Sequence, residues 1–495
     1  MVDESSPIFV FMGGEGTAKG VNCDLPDAVE HGAICVQVEH RFYGESLPRK
    51  EDGGGSNENL RKGLSIEYNL QDTQKIVEEV QAKFGGSRRP VVNFGGSYSG
   101  ATATWFRMAM PETTDGAVSS SGVVNPIYKF TEFDGVISDV LDKECERRLR
   151  RLQKIVDHRM KRSPSAVKKL FNATNLIDTK NGDADFMYML ADGYSMMVQY
   201  GSKKDLCKGL ARVPDSVDDS TAMRNLANVL TSHYGSDFPQ DCYYDSECLK
   251  IENNEAHVPG LMGSQNARSW RWQKCSQVAF LQSRPKGRSA LRSPVLTLEA
   301  LESQCRYVFG ALPARDDDGN KQLRDKWGAD HPEARGASNV MSLSFSDDPW
   351  KAATVQETNA VSLPYCYTEC EGCGHCGAGV TPDEMKECAE VQSAFVKQVL
   401  DQARFAGSYS DPNHPGCGRK VDVIVSGNED SILVSGSDKD EDSNLVPWGP
   451  LQAKVDGLKI VVDFSPKGGP PDLTGSWDPV SNGIVWADGN EWPKL

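Results

Sequence analysis

Short apolar runs alternate with amphipathic stretches through the first part of the chain. Runs rich in β-branched and aromatic residues occur at Ile8–Met12, Ala33–Val38 and Val91–Phe94, and glycine or polar residues follow each of them. Between the second and third runs, apolar residues recur at helical spacing from Ile66 to Phe84. Strands that alternate with helices in this way are typical of a parallel α/β sheet.

The pattern changes near Lys129. From there to about Gln282, amphipathic helical segments follow one another, and they include a charged run from Glu144 to Arg162. Strand character returns at Asn339–Phe345, and Pro382–Phe405 has the spacing of a closing helix. We therefore predict a helical insertion within the sheet and a sheet that is completed after it.

The last part of the chain has a different composition. From Gly407 onwards Gly, Ser, Pro and Asp become frequent, and Val421–Val425 begins a series of short strands. Gly475–Trp477 and Gly483–Trp492 are predicted to be turns of a small β module, in which the tryptophans are expected to be core residues rather than a carbohydrate-binding surface.

Length and charge exclude several classes of function. A chain of 495 residues is too long for one compact core, so two or more units are expected. The net charge of −16 argues against a nucleic-acid partner, and no run of 18 apolar residues is present that could span a bilayer.

The fourteen cysteines, an even number, favour an oxidising compartment and several disulfides. The sequon Asn172-Ala173-Thr174 is compatible with secretion. The opening Met1–Ser6 has neither the basic nor the apolar region of a signal peptide, and a core strand follows within a few residues. Either a signal peptide was removed or the chain is truncated, and we expect truncation.

The stretch Pro90–Gly100 (PVVNFGGSYSG) carries the most specific candidate chemistry. A serine at a sharp turn from strand to helix has an exposed hydroxyl, and the next backbone N–H can bind an oxyanion. We therefore predict that Ser97 is a nucleophile and that Tyr98 contributes an oxyanion donor. The pattern favours glycine where this chain has Ser99. The alternative is a glycine-rich turn with an incidental serine.

Several ordered stretches resemble one family, the serine peptidases that include lysosomal prolyl carboxypeptidase, dipeptidyl peptidase II and the thymus-specific serine protease. The matching stretches are Met12–Gly16, Glu39–Ser46, Phe94–Gly100, Gln199–Gly201, Trp272–Cys275 and Asp348–Trp350. The resemblance implies an α/β-hydrolase fold at 1–128 and 310–406, a helical cap at 129–309, and a β-rich extension of unknown role at 407–495. It also implies that the N-terminal edge strands of the hydrolase sheet are missing.

The resemblance also implies a triad in which Ser97 attacks, His375 transfers the proton and Asp348 orients the histidine. Asp347 is an alternative to Asp348, because only one of two adjacent carboxylates can point at the histidine. A second oxyanion donor is expected from Gly13 or Gly14.

Four cysteines surround the predicted histidine. Reduced thiolates with the spacing of Cys366, Cys370, Cys373 and Cys376 could bind zinc, whereas in an oxidising compartment they would form disulfides that brace the histidine loop. We favour the disulfides and expect neither a metal nor another cofactor.

The resemblance implies an exopeptidase that cuts peptides after proline, and it leaves carboxypeptidase and dipeptidyl peptidase open. It further implies a secreted or lysosomal/vacuolar protein, with a homodimer as one possible state. The alternative is a catalytically impaired relative that binds peptides or glycans. Two features would favour it: Ser99 stands where the pattern has glycine, and His375 lacks the neighbouring Asp that the family usually has.

Overall fold

The structure, a computed structural model, describes residues 6–21, 23–85, 88–251, 264–287, 290–310, 321–358, 360, 362–426 and 429–495. The opening residues Met1–Ser5, from which the truncation was partly inferred, lie outside the described residues.

A parallel sheet of six strands organises the first 405 residues, with the strand order β2-β1-β3-β4-β5-β6. Ile8 lies opposite both Ile34 and Val91, so β1 is paired with β2 on one side and β3 on the other. The strands are β1 (Ile8–Phe11), β2 (Ile34–Gln37), β3 (Val91–Gly96), β4 (Gly116–Ser120), β5 (Val340–Phe345) and β6 (Tyr365–Thr368).

The strands predicted near residues 8, 33, 91 and 339 are confirmed. The sequence pattern missed β4 and β6, whose sequences GAVSS and YCYT contain too few aliphatic residues to form an apolar run. They are strands because neighbouring strands supply their hydrogen-bond partners, and such pairing is not visible in local sequence.

Helices cover the sheet. Before the insertion these are α1 (Pro26–Glu30), α2 (Asn57–Gly63), α3 (Ile66–Phe84) and α4 (Ser97–Ala109). The predicted bounds of α3 are confirmed; Ser65 caps it by accepting a hydrogen bond from the Tyr68 N–H, which satisfies a donor that the helix itself cannot.

A helical insertion separates β4 from β5, as predicted. It consists of α5 (Glu132–Val140), α6 (Lys143–Met160), α7 (Pro164–Leu170), α8 (Gly182–Gln199), α9 (Lys203–Leu210), α10 (Asp219–Tyr234), α11 (Ser246–Lys250), α12 (Ser264–Gln273), α13 (Leu298–Phe309) and α14 (Lys321–Trp327). Disulfides link Cys145 to Cys207, Cys242 to Cys248 and Cys275 to Cys305 within it. None of the helices in the described ranges is long and apolar enough to cross a bilayer.

The closing helix α15 (Pro382–Phe405) has the predicted bounds and leads into an antiparallel sheet of eight strands, each paired with the next in the chain. These strands are β7 (Gly407–Tyr409), β8 (Arg419–Ser426), β9 (Glu429–Lys439), β10 (Leu445–Asp456), β11 (Lys459–Val462), β12 (Leu473–Asp478), β13 (Gly483–Trp486) and β14 (Glu491–Pro493).

The predicted turns at Gly475–Trp477 and Gly483–Trp492 are wrong for most of their length, because β12, β13 and β14 occupy them. Gly475 misled the prediction. It is a strand residue whose Cβ would lie 2.5 Å from Ile484 Cγ2, so glycine is needed there for a close approach of two strands rather than for a turn.

The tryptophans of β12, β13 and β14 are core residues, as predicted. Trp477, Trp486 and Trp492 are each less than 10% exposed, and the rings of Trp486 and Trp492 lie against Phe464. The sheet contacts α15 through the Asp401 carboxylate, which accepts a hydrogen bond from the Gly457 N–H at 2.9 Å. The unit boundaries at 128/129, 309/310 and 406/407 stay predictions.

Candidate active site

The turn at Ser97 joins β3 directly to α4. Ser97 has a φ of +58°, a value that non-glycine residues rarely adopt, and its backbone is held there by the elements on both sides. A Cβ at Gly95 would lie 2.1 Å from the Ser99 carbonyl oxygen, so only glycine permits this turn. Ser99 fits it, because its hydroxyl donates to the Gly96 carbonyl at 2.7 Å.

His375 and Asp348 reach this serine from loops after β6 and β5. His375 Nε2 lies 2.7 Å from Ser97 Oγ, and His375 Nδ1 lies 2.9 Å from both carboxylate oxygens of Asp348. Asp348 is fully buried and His375 is 3% exposed. The three predicted residues therefore form one chain of hydrogen bonds from the carboxylate to the hydroxyl.

Asp347 points elsewhere. Its carboxylate pairs with Lys203 Nζ at 2.6 Å and accepts a hydrogen bond from the Gly372 N–H at 2.5 Å. It thus ties the loop before His375 to α9, while its neighbour Asp348 contacts the histidine.

The cysteines around His375 form disulfides, as expected: Cys366 pairs with Cys388, and Cys370 pairs with Cys373. Three of the four candidate zinc ligands therefore have no thiolate to offer. Cys376 is exposed and has no disulfide partner among the described residues, and its N–H donates to Ser121 Oγ at 2.9 Å.

Burial and charge have opposite effects on the pKa of His375. Burial alone would lower this pKa, but the Asp348 carboxylate, with a contribution from Cys376, raises it well above its ordinary value. Burial lowers the pKa of His40 to about 4, so that this imidazole is neutral at physiological pH. Burial also raises the pKa of Glu15, and the charge of His375 partly opposes this.

The loop Gly13-Gly14 lies beside the serine turn, where a second oxyanion donor is predicted. A Cβ at Gly14 would lie 3.6 Å from Ser99 Cβ, which places this loop next to the first turn of α4. Neither Gly13 nor Gly14 donates a backbone hydrogen bond to another described residue. The roles of Tyr98, Gly13 and Gly14 as oxyanion donors stay predictions.

A buried polar network behind the serine was missed by the sequence reasoning. The Tyr98 phenol accepts a hydrogen bond from Gln273 Nε2 at 2.6 Å and lies 3.2 Å from His40 Nε2, while Tyr43 donates to Gln273 Oε1. All four side chains are fully buried. Gln273 belongs to α12, so this network connects the helical insertion to the residue that follows Ser97. The only signal in the sequence was that Glu39–Ser46 and Trp272–Cys275 are among the family-like stretches.

A parallel sheet with a strained serine between β3 and α4, and with a histidine and an aspartate after later strands, defines a serine hydrolase of the α/β-hydrolase fold. More narrowly, the chain belongs to the serine carboxypeptidase S28 family, whose model matches residues 1–394.

Known relatives agree with this assignment. The chain is 30% identical to the "Probable serine protease EDA2" of Arabidopsis thaliana over 74% of this chain and 73% of the relative. It is 26% identical to the mouse "Thymus-specific serine protease" over 72% of this chain and 73% of the relative. With the mouse "Lysosomal Pro-X carboxypeptidase" it shares 24% identity over 66% of this chain and 67% of the relative.

The hydrogen bond between Tyr98 and Gln273 is expected to stabilise the fold. Gln273→Met should lower the free energy of unfolding by about 1–3 kcal/mol, because it removes the acceptor of the buried Tyr43 hydroxyl and one of the two hydrogen-bond contacts of the Tyr98 phenol. In the double variant Tyr98→Phe/Gln273→Met, the free energy of unfolding should fall by less than the sum of the losses in the two single variants. The difference is the coupling energy, which we expect to be about 0.5–3 kcal/mol. Denaturant unfolding of the four proteins measures this coupling.

Tyr68→Phe is the matched control, since this tyrosine is 44% exposed and its substitution should change the free energy by less than about 0.5 kcal/mol. Strict additivity of Tyr98→Phe and Gln273→Met would contradict the assigned coupling.

Proposed function

We propose that this serine peptidase is an active exopeptidase that hydrolyses peptide bonds after proline through Ser97, His375 and Asp348. The observation that carries the proposal is the unbroken hydrogen-bond chain from Asp348 through His375 to Ser97 Oγ, with contacts of 2.9 and 2.7 Å. An isolated serine hydroxyl is a weak nucleophile near neutral pH and needs an adjacent base that is itself oriented.

In the proposed first step, Ser97 Oγ attacks the peptide carbonyl carbon while His375 Nε2 takes the hydroxyl proton. The resulting tetrahedral oxyanion is stabilised by the N–H of Tyr98 and by that of Gly13 or Gly14. The intermediate collapses as His375 gives its proton to the leaving amine, which leaves an acyl group on Ser97. Water then attacks this ester with His375 as the base, and Ser97 regains its proton. Throughout, the Asp348 carboxylate stabilises the histidine cation.

An apolar surface beside His375 supports the preference for proline. The Trp350 ring lies 5.9 Å from the His375 ring, and its Nε1–H donates to Gln199 Oε1 at 3.0 Å, which brings the end of α8 next to the histidine. Tyr200, the next residue, is 51% exposed. Proline has no N–H and a fixed φ, so rings of this kind can select it by shape alone.

Of six aromatic and methionine residues in the helical insertion that could line such a pocket, five are core residues. Tyr188, Met189, Met197, Trp270 and Trp272 are all less than 9% exposed, and only Met196 is partly exposed. The relative named for Pro-X carboxypeptidase activity is consistent with cleavage after proline, and we extend that substrate class to this chain as part of the proposal.

Labelling with a fluorophosphonate probe tests the triad. The chain as given should be labelled, whereas Ser97→Ala and His375→Ala should not be labelled, and kcat should fall by about 10⁵–10⁶ because the nucleophile or its base is missing. Ser99→Ala is the matched control in the same turn, and it should keep the label. A folded protein that is not labelled would instead favour an impaired peptidase that only binds its ligand.

The charge of Asp348 should control the pH dependence. Because the carboxylate raises the pKa of His375, kcat/KM should fall as the pH is lowered through a value above the ordinary histidine pKa of about 6.5. In Asp348→Asn the largest of the effects that raise this pKa is lost, whereas burial, which lowers the pKa, remains. The acid limb of the profile should therefore move to lower pH, while the plateau falls by about 10⁴. An acid limb that stays in place would contradict the assigned role of Asp348.

Three tripeptide substrates of the form Xaa-Pro-Phe test the exopeptidase assignment. One is blocked only at its amino end, one only at its carboxyl end and one at both ends. A carboxypeptidase should cut the first, a dipeptidyl peptidase the second, and neither should cut the third. Replacing the proline by alanine should lower kcat/KM by about tenfold or more. Rapid cleavage of the doubly blocked peptide would contradict an exopeptidase.

A further inference from the structure

The charged run singled out in the sequence forms most of α6. Between Lys143 and Arg162 nine residues are Lys or Arg and three are Asp or Glu, although the chain as a whole has a net charge of −16. None of these charged residues belongs to the candidate active site at Ser97, Asp348 and His375. A local excess of one sign creates a surface potential that attracts ligands of the opposite sign.

These basic residues line a groove of roughly 450 Å³ on the helical insertion. Its apolar lining residue is Ile155, and its acidic lining residue is Asp219, whose carboxylate pairs with Arg159 at 3.1 Å. The basic lining residues all come from one face of α6: Arg147, Arg150, Arg151, Lys154 and His158.

Some of these charges are already neutralised and others are not. Arg147 pairs with Glu144 and Asp215, and Arg150 pairs with Glu146. Arg151, by contrast, reaches only the Val217 carbonyl oxygen among the described residues, at 3.5 Å. Lys154 is exposed and forms no ion pair with any residue in the described ranges. The groove therefore offers cationic donors that are available to a ligand.

We propose that this groove binds a sulfated polysaccharide. Guanidinium and ammonium groups match the oxygens of a sulfate ester in charge and hydrogen bonding. The basic residues extend over twelve positions from Arg147 to His158, about 16 Å along the helix axis, which suits a chain with charges at intervals better than a single ion.

Two further observations favour a glycan over other polyanions. The six disulfides indicate an oxidising compartment, where sulfated glycans are accessible and nucleic acids are not the usual partner. An anionic membrane would need a wider contact surface with apolar groups to insert, whereas this groove has Ile155 alone.

Binding of immobilised heparin by the full chain tests the proposal, with desulfated heparin and phosphatidylserine vesicles as comparison ligands. The chain should bind heparin, and the affinity should fall with salt because bound cations release counterions. The double variant Arg151→Glu/Lys154→Glu should bind about tenfold or more weakly and should show a shallower dependence on salt.

Lys75→Glu/Lys83→Glu on α3 is the matched control, since it makes the same change in net charge at two exposed positions and should change the affinity by less than about twofold. Thermal unfolding of both variants reports on their folding independently of heparin and of catalysis.

The proposal would be overturned by any of four results: no heparin binding by the unchanged chain, equal binding of desulfated heparin, preferential binding of the vesicles, or equal weakening by both double variants. None of these results depends on whether the protein hydrolyses peptides.

Discussion

The backbone at Ser97 is the constraint on which the rest of the site depends. A positive φ of 58° is unfavourable for serine, and it persists because β3 is held between β1 and β4 and because α4 begins at once. This strained turn places the Ser97 hydroxyl above the carboxyl end of the sheet. The same turn brings the Ser99 carbonyl so close to Gly95 that no side chain would fit there. If β3 were paired less firmly with β1 and β4, the backbone at Ser97 could relax to a more common φ, and the Ser97 hydroxyl would move down toward the sheet.

Asp348 and His375 depend on the same sheet, because their loops follow the parallel strands β5 and β6 and the carboxyl ends of such strands share one edge. The shared edge brings the loops together only approximately, so further contacts must hold the side chains in position. Two disulfides and the contacts of Asp347 with Lys203 and the Gly372 N–H hold the segment before His375. The adjacent carboxylates thus have different roles: that of Asp347 holds the loop before His375, and that of Asp348 contacts the His375 imidazole.

The helical insertion is more than a cover over the sheet. Through Gln273 it contacts the Tyr98 phenol, and the backbone of Tyr98 is the proposed oxyanion donor. Buried hydrogen bonds of this kind are costly to break, since a lone donor or acceptor would remain in an apolar environment. The position of α12 and the geometry beside Ser97 are therefore linked. The outer face of the same insertion carries the basic groove, so its inner and outer surfaces serve different chemistry.

The amino-acid sequence by itself predicted the strands β1, β2, β3 and β5, the bounds of α3 and α15, the helical insertion and the serine turn at Ser97, because periodicity and short motifs are local properties of the chain. The resemblance to a known family added His375 and the pair Asp347 and Asp348 as candidates. Only the tertiary structure decided that Asp348 rather than Asp347 faces the histidine, which cysteines pair, that Gln273 reaches Tyr98, and that Gly475 lies in a strand. Each of these depends on the direction of a side chain or on the approach of distant segments, and spacing along the chain contains neither.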